Sequence, residues 1–251
     1  MIRKIKMKIN RTKQIALDTF EMQLEDEYIT QVALPGQFIY IALPGFTLRR
    51  PISIADINKE QKELTVIFKV LGKGTAELAN YQEGMTLDVL GPNGNGFPLN
   101  VNKGDSVVLI GGGIGVPPLY YLGTKLMEKD VKIISILGFQ TRDHVFYEKE
   151  FLALGKTIIV TDDGSYGNEG YVTDVFKQLP RFDKFYACGP SGMLKSVQGK
   201  LENNDGYISL EERMGCGIGA CAACVIPTTS DLGYKKICHD GPVFEAKEVV
   251  L

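Results

Sequence analysis

The strongest constraint on the fold of this chain is a change of sequence pattern at Asp105. Before it, up to about Asn100, short apolar segments of strand length recur at 37–43, 51–57, 63–71 and 85–92, punctuated by Gly, Pro and Asn. That pattern predicts an antiparallel barrel or sandwich. Only 74–81 reads as a helical turn or two within this region. The N-terminal alternation of Lys4, Ile5, Lys6, Met7, Lys8 and Ile9 predicts a half-buried strand, and it lacks the apolar core and small-residue cleavage site of a signal peptide. Beyond Asp105, strand segments at 106–111, 131–139, 156–163 and 184–189 alternate with helical segments near 117–128, 147–154, 173–178 and 191–202. Alternation of this kind predicts a parallel sheet covered by helices. After Asp205 a last strand segment, 207–213, leads into a tail rich in Gly, Ala and Cys. The expected organisation is therefore three units, 1–101, 102–205 and 206–251.

The tail carries four of the five cysteines, Cys216, Cys221, Cys224 and Cys238, spaced C-x4-C-x2-C-x13-C. The first three match the plant-type [2Fe-2S] spacing, in which a loop folds around the cluster and a fourth thiolate arrives from further along. The residues between them, Gly217, Ile218, Gly219, Ala220, Ala222 and Ala223, are uncharged and mostly tiny, so backbone N–H groups can approach the sulfides. Four thiolates also allow a structural zinc ion. Zinc ribbons, however, usually present two C-x2-C hairpins, whereas this tail has one plus an x4 spacing. The fourth cysteine is nearer than in plant-type ferredoxins, so the tail is a variant and not an appended ferredoxin domain. His239, next to Cys238, reads as a surface-loop histidine.

Charge and hydropathy narrow the function classes. With Lys plus Arg at 28 against Asp plus Glu at 30, the chain has no field to attract nucleic acid or anionic lipid. The two uncharged stretches of near-membrane length, 28–48 and 106–124, are broken by Pro35-Gly36 and Pro44-Gly45, and by four glycines with Pro117 and Pro118. Neither spans a membrane. An odd number of cysteines crowded at one end fits metal ligation in a reducing compartment better than a disulfide framework, which predicts a cytoplasmic protein.

Two further segments carry the marks of anion binding. Gly111, Gly112, Gly113 and Gly115 follow a strand and precede a helix, where free backbone N–H groups suit a diphosphate. The pattern ends in Pro117-Pro118, tolerated in a first helical turn. On its own such a turn serves equally as a tight strand-to-helix connection. Arg50, Pro51, Ile52 and Ser53 sit at a strand edge, followed by Lys69 and then by Gly72, Lys73, Gly74 and Thr75 at a helix start. An arginine fork beside a helix N-terminus suits a second anion, although a solvated strand end and a capped helix explain these residues as well. Cys188-Gly189-Pro190 closes the fourth sheet strand, and a buried structural role is the default for a lone cysteine. Asp162, Asp163 and Gly164 read as turn residues or ribose acceptors.

In this order, RRPISI, GKGTAEL, GGGIGVPP, GFQTRDHVFYEKEF, TDDGS, ACGP and the cysteine tail resemble the ferredoxin-reductase-like flavoproteins over essentially the whole chain. EERMGCGIGACAACVIP followed by ICHDGPVF resembles, more narrowly, the electron-transfer subunits of NAD-dependent, B-type dihydroorotate dehydrogenases of pyrimidine biosynthesis. The resemblance implies an N-terminal FAD-binding barrel, a parallel-sheet NAD-binding domain and a C-terminal [2Fe-2S] extension. It implies that Arg50 pairs with the FAD pyrophosphate, that Ser53 faces the flavin, and that Gly74 and Thr75 cap the diphosphate, with Pro51, Ile52, Ile67 and Lys69 completing the flavin site. Gly111, Gly112, Gly113 and Gly115 would leave room for the nicotinamide dinucleotide, and Cys188 would lie near nicotinamide and flavin. Where the wider family has an aromatic residue this chain has Ile52, so stacking on the flavin must come from elsewhere or be absent.

The implied partner is an FMN-containing catalytic subunit, two of each forming the heteromer, with FAD, the cluster and NAD+ as cofactors and co-substrate. The chemistry is coherent: a nicotinamide exchanges two electrons, a [2Fe-2S] centre one, and a flavin connects them. The only histidines, His144 and His239, sit in no motif suited to abstracting a carbon-bound proton, which places substrate oxidation on another polypeptide. Two alternatives stand beside this reading. One is a related subunit feeding a sulfide dehydrogenase or a hydrogenase; the other is a non-catalytic zinc-binding module.

Overall fold

The computed structural model describes residues 1–251. Its first six strands, β1 (Arg3–Ala16), β2 (Thr19–Glu25), β3 (Phe38–Ala42), β4 (Arg50–Asn58), β5 (Glu63–Lys69) and β6 (Thr86–Asn93), close into an antiparallel barrel in the order β1-β2-β5-β4-β3-β6. Closure leaves no strand edge unpaired. Two short helices lie on it: α1 (Glu27–Val32), whose N-cap Asp26 accepts from the Ile29 N–H at 2.6 Å, and α2 (Lys73–Ala79). The sequence pattern shows α2 but not β2 or α1. In β2 the inward residues Met22 and Leu24 are interleaved with Glu21, Gln23 and Glu25, too polar a run to stand out.

The second unit is a seven-stranded sheet built from β7 (Ser106–Gly112), β8 (Lys132–Phe139), β9 (Lys156–Thr161), β10 (Asn168–Glu169), β11 (Lys184–Cys188) and β12 (Gly206–Ser209), with β15 (Val243–Glu245) at its edge. The order is β10-β9-β8-β7-β11-β12-β15, parallel throughout except where β15 runs antiparallel to β12. Helices α3 (Val116–Met127), α4 (Glu148–Leu154) and α5 (Ser191–Lys200) cover it. The helix expected at 173–178 shrinks to a 3₁₀ turn at Phe176–Gln178. Between Gly170 and Pro180 there is little room, and the β-branched Val172, Thr173 and Val175 resist helix formation. Between β12 and β15 the chain makes the cysteine loop, the small hairpin β13 (Val225–Pro227) with β14 (Tyr234–Lys236), and the single turn α6 (Ile237–Asp240).

Strand β3 is the hinge point of this arrangement. Phe38, Ile39, Tyr40 and Ile41 are all buried. Because side chains alternate along a strand, Ile39 and Ile41 enter the barrel core while Phe38 and Tyr40 join the apolar cluster that contains Met214, Cys224 and Cys238. One strand therefore carries the core of the barrel on one face and the cysteine lobe on the other.

Candidate functional site

Cys216, Cys221 and Cys224 stand on the loop between β12 and β13, and Cys238 stands on α6. The hairpin returns α6 to the loop, where the Ile237 N–H donates to the Cys224 carbonyl at 2.9 Å. The cysteines meet as two pairs: the Cys221 N–H donates to the Cys216 Sγ at 3.3 Å, and the Cys238 N–H to the Cys224 Sγ at 3.5 Å. The Gly219 N–H, donating to the Cys238 Sγ at 3.2 Å, links the pairs. No three histidine, cysteine or acidic side chains converge tightly enough to grip one ion. Two thiol pairs suit a two-iron cluster, with two thiolates per iron, whereas a structural zinc ion gathers all four about one centre. The donor set thus fits a [2Fe-2S] group. Burial raises the Cys216 thiol, but the N–H groups of Ile218, Cys221 and Ala220 outweigh it and bring the pKa down to about 6. Cys238 is pushed up to about 12, by burial first and then by its bond with Cys224.

The barrel holds this lobe at two places. Tyr40, 1% exposed, donates its hydroxyl to the carbonyls of Met214 and Gly215, each at 3.0 Å. Its ring lies on Gly217, where φ is +72° and a Cβ would come within 2.5 Å of the ring, so the position requires glycine on both counts. Burial and then the nearby cysteines raise the Tyr40 pKa, keeping the phenol a donor. On the Cys238 side, the Asn95 N–H donates to the Gly241 carbonyl at 2.6 Å and its amide to that of Asp240 at 3.0 Å.

Beside the lobe, Arg50 and Pro51 line a hollow of 380 Å³ with Thr47, Arg49, Arg213 and Met214. The Arg50 guanidinium stacks on Phe46, 4.8 Å from the ring centroid, donates to the Leu48 carbonyl, and lies so close over Gly74 that a Cβ there would overlap it. This bare-backbone cradle with an arginine fits a pyrophosphate-bearing cofactor such as FAD. Thr75 turns back on its own helix start, its hydroxyl accepting from the Leu71 N–H at 2.9 Å. Ser53 pairs with Phe38 in the barrel, while Ile52 and Ile67 are buried, Ile52 among the barrel's apolar side chains and Ile67 where barrel and sheet pack.

A larger cavity of 680 Å³ opens at the C-terminal ends of the parallel strands, where open α/β sheets bind ligands. Gly112, Gly113, Gly138 and Gly189 line it; Gly111 and Gly115 stand behind it as close-packing positions, a Cβ on Gly115 overlapping the Cys188 carbonyl. The barrel contributes Thr19, Lys69 and Leu71, and the Lys69 Nζ donates across the cavity to the Gln140 Oε1 at 3.2 Å. Cys188 is buried, and burial followed by the nearby Glu211 raises its thiol far above the ordinary range. It stays a thiol, unsuited to act as a nucleophile. Glu211 itself faces the cavity; its side chain is reached by solvent through the mouth, yet protein encloses it elsewhere and raises its pKa. His144 also lines the cavity, with its Nδ1 2.9 Å from the Thr141 hydroxyl, and burial followed by Lys69 lowers its pKa.

The sequence thus points to Lys69, Gly112 and Gly113, which the fold brings into one cavity, and to Arg50 and Gly74, which it brings into contact. It misses Glu211, which falls within an expected strand, and Tyr40 and Gln140, which carry no motif. No helix is long and apolar enough to cross a membrane.

Comparison with known proteins bears on the same two regions. Residues 211–250 match the iron-sulfur cluster binding domain of dihydroorotate dehydrogenase B, and residues 109–199 an oxidoreductase NAD-binding domain. Among solved structures, the chain resembles one of the NADH-dependent reduced ferredoxin-NADP oxidoreductase, studied for flavin-based electron bifurcation, with a TM-score of 0.90 and 32% identity over 97% of this chain and 89% of that one. The ferredoxin NADP+ reductase of Neisseria gonorrhoeae, at 18% identity and a TM-score of 0.69 over 84% of this chain and 95% of that one, shares the fold. Over the full length of both chains, identity is 50% with the dihydroorotate dehydrogenase B (NAD(+)) electron transfer subunit of Lysinibacillus sphaericus and 49% with that of Geobacillus kaustophilus. With paired cysteines, arginine cradle and strand-end cavity in place along that whole length, the chain belongs to the family of dihydroorotate dehydrogenase B electron-transfer subunits.

Proposed function

We propose that this chain relays electrons from dihydroorotate, oxidised on a partner subunit at its own FMN, by way of the cluster and FAD to NAD+, in the cytoplasm. When bound, FAD supplies the conversion between hydride exchange with a nicotinamide and single-electron exchange with an iron–sulfur centre. The residues of the chain divide this work among 1–101, 102–205 and 206–251, the last of which also lends β12 and β15 to the sheet. Cys216, Cys221, Cys224 and Cys238 hold the cluster, with backbone N–H groups donating to the sulfurs of Cys216, Cys224 and Cys238. Arg50 over Gly74 holds the FAD pyrophosphate, with Pro51, Ile52, Ser53, Ile67, Lys69 and Thr75 shaping the remainder of that site. Gly111, Gly112, Gly113 and Gly115 let the NAD+ backbone approach the sheet, and Cys188 packs behind them as a neutral thiol.

Neither histidine is arranged to deprotonate a substrate carbon. His144 is held by Thr141, and the His239 Nδ1 faces the Asp240 carboxylate at 2.8 Å on the surface. The observation that carries the reading is 50% identity over the whole chain to a subunit of that name. It favours dihydroorotate over the reaction of the NADH-dependent reduced ferredoxin-NADP oxidoreductase, with which identity falls to 32%. Five cysteines with no disulfide among them support a cytoplasmic setting.

The isolated holo-protein is expected to oxidise NADH with a small artificial acceptor and to leave dihydroorotate untouched. Adding the cognate catalytic subunit is expected to give dihydroorotate-dependent NAD+ reduction. Turnover of dihydroorotate by the isolated chain would sink the proposal.

A further inference from the structure

Tyr40 lies where the barrel meets the cysteine lobe, and it belongs to both. Its backbone is paired with Pro51 of β4 on one side and Leu90 of β6 on the other. Its carbonyl accepts from the Arg49 Nη1 at 3.2 Å, and that guanidinium is itself fixed by the Asp88 carboxylate at 2.6 Å. Its side chain leaves the barrel altogether: the hydroxyl reaches the carbonyls of Met214 and Gly215, and the ring seats on Gly217. These three residues flank the first cysteine, Cys216. The main chain of Tyr40 is thus anchored next to Arg50 and Pro51, and its tip next to a cluster ligand.

We infer that Tyr40 is a positioning residue that locks the cysteine loop to the flavin-binding edge of the barrel and thereby fixes the separation of the two redox sites. The inference rests on the relay reading above. A phenylalanine would fill the same buried space, so packing alone does not call for a phenol. The hydroxyl spends its one proton on two carbonyls immediately before Cys216, a stretch with no regular secondary structure of its own to hold it. An aromatic side chain with two rotatable bonds, fully buried, is a stiff spacer. Electron transfer between two centres falls steeply with distance, so slack in this spacer slows transfer even when both centres are present.

The test uses the full chain carrying its FAD and cluster, in complex with its catalytic partner, and compares Tyr40→Phe with Tyr40→Leu. Iron, sulfide and FAD are assayed first; anaerobic rapid mixing with NADH then follows flavin bleaching and cluster reduction separately. Tyr40→Phe leaves the buried Met214 carbonyl and the half-buried Gly215 carbonyl without their donor and weakens the loop's preference for its native position by about 5- to 150-fold. Cofactor contents, flavin bleaching and direct cluster reduction by dithionite are expected at parent levels, while cluster reduction by NADH slows by up to that factor. Tyr40→Leu, which also removes the ring from Gly217, is expected to slow it further; should that variant not fold, Tyr40→Phe decides alone. Parent-rate cluster reduction in Tyr40→Phe overturns the inference. Loss of iron in Tyr40→Phe overturns it too, because Tyr40 would then retain the cluster and not space it. If the parent protein fails to reduce its cluster with NADH, the relay reading falls and this inference with it, whereas a parent-like Tyr40→Phe removes the inference alone.

Discussion

The cysteine lobe and the glycine-lined cavity are built in opposite ways. Every thiol of the lobe comes from one stretch, residues 216–238, and the loop, hairpin and single turn of that stretch bring the thiols into pairs by local geometry. The cavity is assembled from segments as far apart as Thr19 and Glu211, supplied by strand ends of barrel and sheet, by the loop at 170–173 and by the first turns of α5. A local site is specified by spacing; a dispersed site is specified by topology. The difference also predicts how each site fails, all at once for the lobe and by degrees for the cavity.

The largest effect is expected at the lobe. Replacing any one of Cys216, Cys221, Cys224 or Cys238 by Ser substitutes a hard hydroxyl for a thiolate, and bound iron is expected to fall to a small fraction of the parent level. Cys188→Ser, at the end of β11, is expected to keep its iron, because that thiol is remote from the pairs in sequence and enclosed with Ser209 and Glu211. Iron and sulfide analysis of the five variants separates them. Iron loss confined to Cys188→Ser would erase the distinction between the two regions.

The second effect lies at the seam between them. Arg50→Ala removes a charge-assisted contact to a pyrophosphate, and FAD affinity is expected to weaken about 10- to 150-fold. Gly74→Ala is expected to act in the same direction without touching the charge, since its Cβ would displace the guanidinium. Both variants are expected to retain iron. Flavin titration of the apoprotein gives the affinities, and parent-like binding in both would remove Arg50 from the flavin site.

What the sequence makes legible follows this contrast. The barrel-to-sheet transition at Asp105 is visible because hydrophobic period and turn residues are local properties. The four thiols are visible for the same reason. Strand β2 and helix α1 are hidden by polar outer faces that dilute the apolar period, and the second face of β3 is hidden because QFIYIAL reads only as buried. Glu211 and Tyr40 are invisible at any window length. Each acquires its surroundings from chain more than a hundred residues away: Glu211 from the cavity shared with Thr19 and Lys69, and Tyr40 from Met214 and Gly215.

Among the glycines, Gly115→Ala tests how far the cavity depends on packing behind it. The added methyl meets the Cys188 carbonyl, a backbone atom that cannot rotate away, so overpacking is expected to cost about 1–3 kcal/mol of stability. NAD+ affinity is expected to fall with it, while Gly112 and Gly113 still face the cavity. Thermal melts and nicotinamide titration distinguish this from a neutral turn position, for which neither quantity would change.

The smallest effect concerns the support that the dispersed barrel gives to the local lobe. Asp88 accepts from Arg49 at 2.6 Å and pairs with Lys4 at 3.3 Å, and Arg49 in turn donates to the Tyr40 carbonyl. Burial alone would raise the Asp88 pKa, but the hydrogen bonds from Arg49 and Lys4 outweigh it and hold the carboxyl below its usual range. A carboxyl depressed in the folded state contributes stability that is fully present above its unfolded pKa, about 3.9, and is lost as the pH falls through the folded value. Asp88→Asn is therefore expected to be less stable than the parent by about 1 kcal/mol at neutral pH, a figure reduced by partial solvent exposure of the pair. The gap is expected to stay constant from neutral pH down to about 5, to narrow from about 4, where the unfolded carboxyl takes up its proton, and to close below the lower folded value. Chemical denaturation of both proteins across that range reads it directly. A gap that persists unchanged into acid would mean that the ionised pair does not hold Arg49 against Tyr40, and the lobe would then owe its placement to the phenol and Asn95 alone.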